Sequence, residues 1–339
     1  MERAVKTKTM TFLAAASASA LVLAGCADTG AGSGKSAGTS VAVLLASTQN
    51  AYNQAVLAGV EEVAKEAGVE LKVLDGQFDS NVQLSQLENL QASQFDGVVV
   101  LPNDGVSLAS AFPLAGDLPV VTVTNPIGPD ILAMESQVEG VISTVGISPD
   151  LIGQTQAEDV VEYCADRDPC KVVQVVGFTT APLDVAILAA YERVLGKHDN
   201  IEVVGTVEGE YDRDKALTAV TNVLQANPDV DVFLSNTDQQ TSGIVVALEA
   251  AGVDPAERYV TGTGGTTEAI DGVRAGTWKS TYAAFPVQRG AAALTQLLNH
   301  LAGESVEESV NADELGSIPA WITADVLARN EDFQSDWNG

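Results

Sequence analysis

The sequence predicts an α/β fold made of two series of strand–helix units. The first unit is the clearest, because Val41–Leu45 is a short continuous apolar run, the pattern of a strand covered on both faces. Apolar residues then recur at helical spacing from Val56 to Ala67, and Gly68 is a natural helix terminator. Similar units follow along the chain and predict parallel sheets with right-handed crossovers. The series divides near 124–147, so we expect two doubly wound lobes.

The first series contains four predicted strands, each a short apolar run. They are Val41–Leu45, Val69–Leu74, Gly97–Leu101 and Pro119–Val123. The helix after the second strand is predicted over Val82–Ser93, with a leucine edge, and a short one over Val106–Leu114. Ile127–Ile147 is less regular, and we expect it to cross to the second lobe and supply one strand there.

Capping residues delimit the helices of the second series. Ser148 and Pro149 form a start signal for a helix to about Cys164. Four further helices are predicted, with Asp184, Asp212, Thr266 or Thr267, and Pro286 at their starts, and another runs over Gln239–Ala251. Between them lie apolar strands at Lys171–Val176, Ile201–Val207, Val230–Leu234, Tyr259–Thr261 and Trp278–Ala284. The remaining residues, with Trp321 and Trp337, are expected to form a tail packed on the body.

The first 40 residues are expected to lie outside this fold. A basic start is followed by the apolar run Phe12–Leu23, which has the length of a signal peptide rather than a membrane span. The run ends in Leu23-Ala24-Gly25-Cys26, which resembles the lipobox of bacterial lipoproteins; a plain secretory signal with a chance cysteine is the alternative. Residues 1–25 are therefore predicted to be a lipoprotein signal peptide and Cys26 a lipidated (palmitate-type) residue. Residues 27–40, rich in Gly and Ser, form a flexible tether in this prediction.

These features predict an exported protein, anchored by lipid at the outer face of the cytoplasmic membrane, in the periplasm or at the cell surface. Asp and Glu number 46 against 17 Lys and Arg, a net charge of −29, and this charge disfavours nucleic acid as a partner. In an exported protein the remaining cysteines, Cys164 and Cys170, predict a local disulfide. The two histidines, His198 and His300, are not grouped with these cysteines in the sequence, so no metal site is expected. No cofactor is expected either.

Ligands of open α/β sheets bind beyond the carboxyl ends of the strands, so the loop after the first strand is the first place to look for a site. This loop, Ser47–Asn53, carries amides, hydroxyls and one aromatic ring, and no charge. Aromatic faces pack on sugar rings, and amides hydrogen-bond hydroxyls directionally. The alternative for each polar residue is ordinary turn and capping chemistry.

Several motifs occur in a characteristic order. They are Ser47-Thr48 with Tyr52, the run Pro119–Thr124, Tyr211-Asp212, Asn227–Val230 leading to Asn236, Gly262–Thr266, and Phe285–Gly290. In this order and spacing the chain, from Val41 to about Ala302, resembles the type I periplasmic binding proteins, in particular the ribose-binding branch that serves ABC importers. The resemblance implies two lobes joined by three hinge strands that close on a ligand. It gives an N-terminal lobe of 41–125 plus about 263–284, and a C-terminal lobe of 126–262 plus about 285–325.

The resemblance also supplies most of the candidate ligand-binding residues. From the resemblance they are Ser47, Asn50, Tyr52, Asn53, Thr124, Asn125, Tyr211, Asn236 and Gly264, with Ala284 at the last hinge. Phe178 and Phe285 are added to this set. Charged or amide groups typical of sugar binders are replaced at four places. Thr124-Asn125 stands for an Asp-Arg pair, Gly264 for an Asp and Ala284 for a Gln, and the helix from Asp184 lacks its Arg. We therefore expect a small neutral polar ligand, a sugar, polyol or related molecule, less hydroxylated or larger than a typical pentose.

The predicted function is that of a lipid-anchored solute-binding protein of an ABC importer, acting as a monomer with a permease and its ATPase as partners. A sensory receptor of the same fold, presenting to a chemoreceptor or sensor kinase, is the first alternative. An enzyme is the second, but the sequence has no nucleophile elbow, P-loop or HExxH motif. The lipoprotein signal and the absence of a basic helix-turn-helix argue against a transcriptional regulator of this fold.

Overall fold

The structure is a computed structural model, and it describes residues 38–90, 94–114 and 118–339. The predicted signal peptide, Cys26 and most of the predicted tether lie outside these residues. Within the described ranges, no helix combines the length and the apolar character needed to cross a bilayer.

Two six-stranded sheets organise the described residues, as the predicted fold class requires. The first has the order β11-β5-β4-β3-β1-β2 and is parallel throughout; its strands are β1 (Ser40–Leu45), β2 (Glu70–Asp75), β3 (Gly97–Val100), β4 (Val120–Thr124), β5 (Val141–Gly146) and β11 (Ser309–Asn311). The second has the order β12-β10-β9-β8-β6-β7; its strands are β6 (Cys170–Val176), β7 (Ile201–Glu208), β8 (Val232–Ser235), β9 (Tyr259–Gly264), β10 (Ser280–Ala283) and β12 (Trp321–Thr323). Only β12 is antiparallel to its neighbour in this sheet.

Helices cover both sheets. They are α1 (Ala51–Ala67), α2 (Ser80–Leu90), α3 (Gly105–Leu108), α4 (Pro149–Tyr163), α5 (Pro182–Leu195), α6 (Arg213–Ala226), α7 (Asp238–Ala250), α8 (Thr267–Ala275), α9 (Pro286–Leu301) and α10 (Ala324–Arg329). Short 3-10 segments occupy Ala109–Leu114, Pro255–Glu257 and Ala312–Glu314. We call the first sheet with α1, α2, α3 and α9 the first lobe, and the second sheet with α4–α8 and α10 the second lobe.

Alternate residues of β1 show why it lies inside its sheet. Val41 and Val43 belong to one apolar cluster, whereas Ala42 and Leu44 belong to another on the opposite face. Side chains of a strand alternate between faces, so a strand that is apolar at every position needs cover on both sides. Apolar residues of α1 and α9 complete the first cluster, so these two helices pack side by side on the same face of the first sheet.

Two glycines allow α1 and α9 to approach closely. A Cβ atom on Gly59 would lie 1.9 Å from the carbonyl oxygen of Val287, and one on Gly290 would lie 1.9 Å from that of Val56. Neither position has room for a side chain. This crossing brings the first turn of α9 next to the middle of α1.

The predicted division into lobes differs from the observed sheets. Strand β5 pairs with β4 in the first sheet, although residues 127–147 were expected to give the second lobe a strand. Strand β10 lies in the second sheet, whereas 263–284 was assigned to the first lobe. Helix α9, which was expected in the second lobe, packs on β4 and β5 of the first sheet. The strand–helix alternation does not specify which sheet a strand joins. The sheet is specified by contacts between strands that are distant in the sequence. In the pairing of β4 with β5, for example, the hydroxyls of Thr122 and Thr144 lie 3.0 Å apart.

The structure places Cys164 and Cys170 at the separation that the predicted disulfide requires. The two sulfur atoms lie 2.09 Å apart and link the end of α4 to the first residue of β6. Both cysteines are fully buried in the apolar cluster between α4, α5 and the second sheet.

Candidate functional site

A cavity lies between the two lobes at the carboxyl ends of the strands. Its volume is about 120 Å³, and a water molecule needs about 10–15 Å³ by this measure, so there is room for a ligand that replaces on the order of ten waters. It is lined by Ala46, Asn50, Tyr52, Asn53, Phe78, Leu101, Pro102, Asn103, Thr124, Asn125, Ile152, Leu183, Ile187, Tyr211, Asn236, Thr237, Gln239, Thr263, Tyr282, Ala284, Arg289 and Trp337.

The loop after β1 and the start of α1 form one wall. Asn50 is the N-cap of α1, and its side-chain oxygen accepts hydrogen bonds from the backbone N–H and the side-chain amide of Asn53, at 3.2 and 3.0 Å. The hydroxyl of Tyr52 lies 2.7 Å from that of Thr124, at the end of β4. These contacts fix the orientation of the wall before any ligand is bound.

A buried carboxylate organises the opposite wall. Asp184 is fully buried and accepts hydrogen bonds from the backbone N–H of Phe178 at 2.7 Å, from the hydroxyl of Tyr211 at 2.7 Å and from the side-chain amide of Asn236. Burial raises the pKa of Asp184 to about 6, because the charged form loses its hydration, and the hydrogen bonds from Phe178, Tyr211 and Gly177 oppose this effect. Asp184 lies behind the cavity wall and holds two wall residues, Tyr211 and Asn236, in place.

The sequence prediction for Asp184 was wrong. Helix α5 begins at Pro182 with Ala181 at the cap position, so Asp184 lies inside the first turn. Its side chain points to the loops after β6, β7 and β8 rather than to the helix N-terminus. One feature of the sequence could have indicated this buried role, because Asp184 is an acidic residue at the start of an otherwise apolar helical stretch. If such a residue is buried, it needs hydrogen-bond partners from other elements.

Three aromatic rings meet across the cleft. Phe78, after β2 in the first lobe, stacks on Tyr211 of the second lobe with ring centroids 5.9 Å apart. Its centroid lies 6.4 Å from that of Phe178, also in the second lobe, and Phe178 meets Tyr211 edge-on at 5.5 Å. The contact joins the lobes beside the cavity. Phe78 was not among the predicted site residues, because it lies in a polar segment that resembles an ordinary loop.

Unusual backbone conformations concentrate at this site. Phe78, Thr124, Tyr211 and Phe285 have positive φ values of 53°, 70°, 55° and 45°, in the left-handed region that non-glycine residues rarely adopt. Such conformations cost about 1–3 kcal/mol each and persist only where the surrounding structure imposes them. Here the first three aim a side chain at the cleft, and the fourth turns the chain into α9.

Trp337 enters the cavity from the segment after α10. Its ring meets that of Tyr52 edge-on at 5.8 Å, and its indole N–H donates to the carbonyl oxygen of Gly264 at 3.2 Å. Its backbone oxygen accepts from the N–H of Thr267 at 3.0 Å. The predicted tail is therefore packed on the body, and it contributes a wall residue that the sequence reasoning did not identify.

Arg289 is the only charged side chain among the described residues that line the cavity. It belongs to the first turn of α9 and is 3% exposed. One of its terminal nitrogens donates to the hydroxyl of Tyr52 at 3.3 Å, and its Nε has no hydrogen-bond partner among the described residues. It makes no ion pair with any residue of the described ranges.

The structure brings most of the predicted residues together. Those that line the cavity are Asn50, Tyr52, Asn53, Thr124, Asn125, Tyr211 and Asn236, with Ala284. Four do not. Ser47 lines a neighbouring cavity, Phe178 packs behind Tyr211, and Gly264 and Phe285 face a cleft beneath Trp337. The side chains that the sequence reasoning missed include Phe78, Tyr282, Arg289 and Trp337.

Comparisons with known proteins agree with the fold. The model of a periplasmic binding protein domain matches residues 41–305. The ribose import binding protein of Bacillus subtilis is 25% identical over 287 residues, 83% of this chain and 87% of the relative. The D-allose-binding periplasmic protein of Escherichia coli is 26% identical over 76% of this chain and 83% of the relative. Among solved structures, a galactofuranose binding protein aligns with a TM-score of 0.75 at 17% identity, over 86% of this chain and 97% of that one.

Proposed function

The chain belongs to the type I periplasmic binding proteins, in the ribose-binding branch, and on this premise we propose that it captures a small sugar-like or polyol-like ligand for an ABC importer. The observation that carries the proposal is the cavity itself. It lies between two lobes and takes wall residues from both, so a bound ligand touches both lobes at once.

The mechanism follows from this geometry. A ligand that contacts both walls binds the closed arrangement better than an open one, and it shifts the equilibrium by that difference in affinity. The contact of Phe78 with Tyr211 and Phe178 forms in the closed arrangement and adds to its stability. The closed pair of lobe surfaces is then what the permease recognises.

The wall chemistry fits a ring with polar substituents. Tyr52, Tyr211 and Trp337 offer aromatic faces and edges, and Asn125 and Asn236 offer amides. The side-chain oxygen of Asn125 is buried and has no hydrogen-bond partner in the part of the chain that the structure describes, which leaves an acceptor for a ligand hydroxyl. The curated relatives are named for ribose and allose, and this supports the same broad ligand class here.

The remaining parts of the proposal concern location and partners. Cys26 carries the lipid, residues up to 40 act as the tether, and the body works outside the cytoplasmic membrane as a monomer with a permease and its ATPase. The role is binding without catalysis, as in the family of binding proteins that the chain joins.

A thermal-shift screen of the full chain tests this function. Pentoses, hexoses, furanoses and polyols would be added to the purified protein, and nucleosides and amino acids would be tested as a separate comparison set. A ligand at about 1,000 times its Kd stabilises the folded state by about 4 kcal/mol and raises the melting temperature by several degrees. A hit in this panel is expected. If only nucleosides or amino acids stabilise the protein, the proposed ligand class is wrong, and native mass spectrometry of the purified protein would reveal a ligand retained from expression.

Two variants locate the binding event. Asn236→Ala removes an amide from the cavity wall and is expected to weaken the hit by about tenfold or more. Asn81→Ala is the matched control, because Asn81 is exposed on α2 and is not among the described residues that line the cavity. Equal affinity of both variants and the wild type would remove Asn236 from the site.

A further inference from the structure

The cavity has a charge that its walls do not balance. Arg289 is 97% buried, since only 3% of its surface is exposed, and every other lining residue is uncharged. A buried guanidinium is normally paired with a carboxylate, because burial removes the water that stabilises its charge. Among the described residues, its one hydrogen-bond partner is the hydroxyl of Tyr52, at 3.3 Å, and that hydroxyl is already 2.7 Å from the hydroxyl of Thr124.

Two residues that line the cavity, one from each lobe, carry a buried side-chain hydrogen-bond donor. The Nε atom of Arg289 on α9 and the Nε2 atom of Gln239 on α7 are buried and have no partner among the described residues. Both residues line the cavity. A negatively charged ligand group that accepts several hydrogen bonds would both pair with these donors and balance the charge of Arg289. A hydroxyl would pair with a donor but would leave the charge unbalanced.

Two carboxylates lie near the cavity, and each accepts hydrogen bonds from other groups. Asp184 accepts from Tyr211 and Asn236. Asp313 accepts from the hydroxyl of Tyr282 at 2.7 Å through one oxygen, and its other oxygen has no partner among the described residues. None of these acids lies within ion-pair distance of Arg289, and neither Asp184 nor Asp313 lines the cavity.

The neighbouring cavity at the lobe edge is more acidic, but its acids also have partners. Glu210 pairs with Lys215 at 3.5 Å, Asp212 caps α6, and Asp238 accepts from Thr281. Glu268 accepts from Ser242 at 2.7 Å, and Arg213 is the one cationic side chain among the described residues that line this neighbouring cavity.

We propose that the ligand is an anion, a sugar-like ring that carries one carboxylate, and that Arg289 binds this carboxylate with Gln239 as a second donor from the opposite lobe. This inference rests on the proposed function and names the class of ligand that the same site takes. It replaces the neutral ligand of the sequence prediction with a sugar acid. Arg289 also explains how the site retains a charge-assisted contact although Thr124, Asn125 and Gly264 replace the charged groups of typical sugar binders.

The net charge of −29 opposes the approach of an anion, but the effect is limited. At physiological ionic strength charges more than about 8 Å apart are largely screened when they are exposed to solvent. Direct contact with a desolvated guanidinium is not screened in this way. The net charge therefore slows association, whereas Arg289 determines how tightly the bound ligand is held.

Matched pairs of probes test the proposal. The full chain would be titrated with D-galacturonate, D-glucuronate, quinate and shikimate, each beside its methyl ester, and with D-galactose and D-glucose. At least one carboxylate is expected to bind about 10- to 100-fold more tightly than its ester. Uncharged members that bind as tightly as the acids, or no binding by any acid, would overturn the proposal.

Substitution of Arg289 separates a ligand-binding role from a structural one. R289Q is expected to abolish the preference for the acid over its ester, R289K to keep part of it, and Q239L to reduce it less than R289Q. The unliganded R289Q protein is expected to melt no lower than the wild type, because the substitution removes an unpaired buried charge. A lower melting temperature together with an unchanged acid preference would show that Arg289 is structural.

Failure of this inference is distinguishable from failure of the proposed function. Binding of neutral sugars alone, at equal strength in the wild type and R289Q, would refute the anion and leave the solute-binding function intact. Absence of binding by every sugar, polyol and sugar acid would count against both.

Discussion

Removal of the Phe78 ring is expected to weaken ligand binding by destabilising the closed arrangement of the lobes. Phe78 contacts two rings of the second lobe, Tyr211 at 5.9 Å and Phe178 at 6.4 Å. Aromatic pairs contribute about 0.5–1.5 kcal/mol each, so Phe78→Ala should cost the closed form about 1–3 kcal/mol. An open form has neither contact, and the loss therefore appears as an affinity about 5- to 150-fold weaker.

Isothermal titration with the ligand from the thermal-shift screen measures this loss. A double-mutant cycle of Phe78→Ala with Phe178→Ala isolates the coupling between the two rings across the cleft, which is expected to be about 0.5–1.5 kcal/mol. Phe95→Ala is the control, because Phe95 packs on the first-lobe core away from the cavity and should change the melting temperature without changing affinity. An affinity of Phe78→Ala within about twofold of the wild type, or strictly additive effects in the cycle, would refute the reasoning.

Three further predictions follow from the site, the buried acids and the N-terminus. Trp337→Ala should weaken binding by about tenfold and Trp337→Phe by less, since the phenylalanine keeps a ring against the cavity, and equal losses in titrations would contradict this. Burial raises the pKa of both Asp184 and Asp238 to about 6, from a usual value near 4, so the folded state favours their protonated forms. The stability that these groups supply is complete below the unfolded pKa and is lost as the pH rises through the folded one. The free energy of unfolding should therefore increase by about 1 kcal/mol per group from about pH 7 to about pH 5. Denaturant unfolding in about 1 M salt, which screens the surface charge, measures this, and a flat profile would contradict it. Cys26→Ser should move the full chain from the membrane fraction to the aqueous fraction, and continued membrane association would exclude lipidation at this residue.

Local signals predicted most element boundaries. Gly68 adopts φ +69° and ends α1, Asp212 caps α6, Thr266 caps α8, and Pro286 opens α9 at the predicted residue. These features depend on backbone chemistry within one turn, and the residue type alone specifies them. The fold class was predictable for a related reason, since strands that are apolar at every position occur in sheets covered on both faces.

Contacts between distant segments were not predictable in the same way. Asp184 was interpreted as a cap because its partners, Tyr211 and Asn236, are 27 and 52 residues away in the sequence. Arg289 and Trp337 meet at Tyr52, and nothing within their own segments indicates a cavity. The assignment of strands to sheets failed for the same physical reason, because a short parallel strand can pair with any edge that its hydrogen bonds fit.

Because Trp337 lines the cavity, the intrinsic tryptophan fluorescence of the protein should report whether a ligand is bound. The chain has three tryptophans, and the other two, Trp278 and Trp321, belong to the packing of the second lobe. Indole emission shifts with the polarity around the ring, so displacement of water beside Trp337 should move the emission spectrum. Trp278 and Trp321 do not line the cavity and should contribute a constant background. Replacement of Trp278 and Trp321 by phenylalanine would leave a single emitter in the cavity wall. Binding could then be followed in real time without any attached dye.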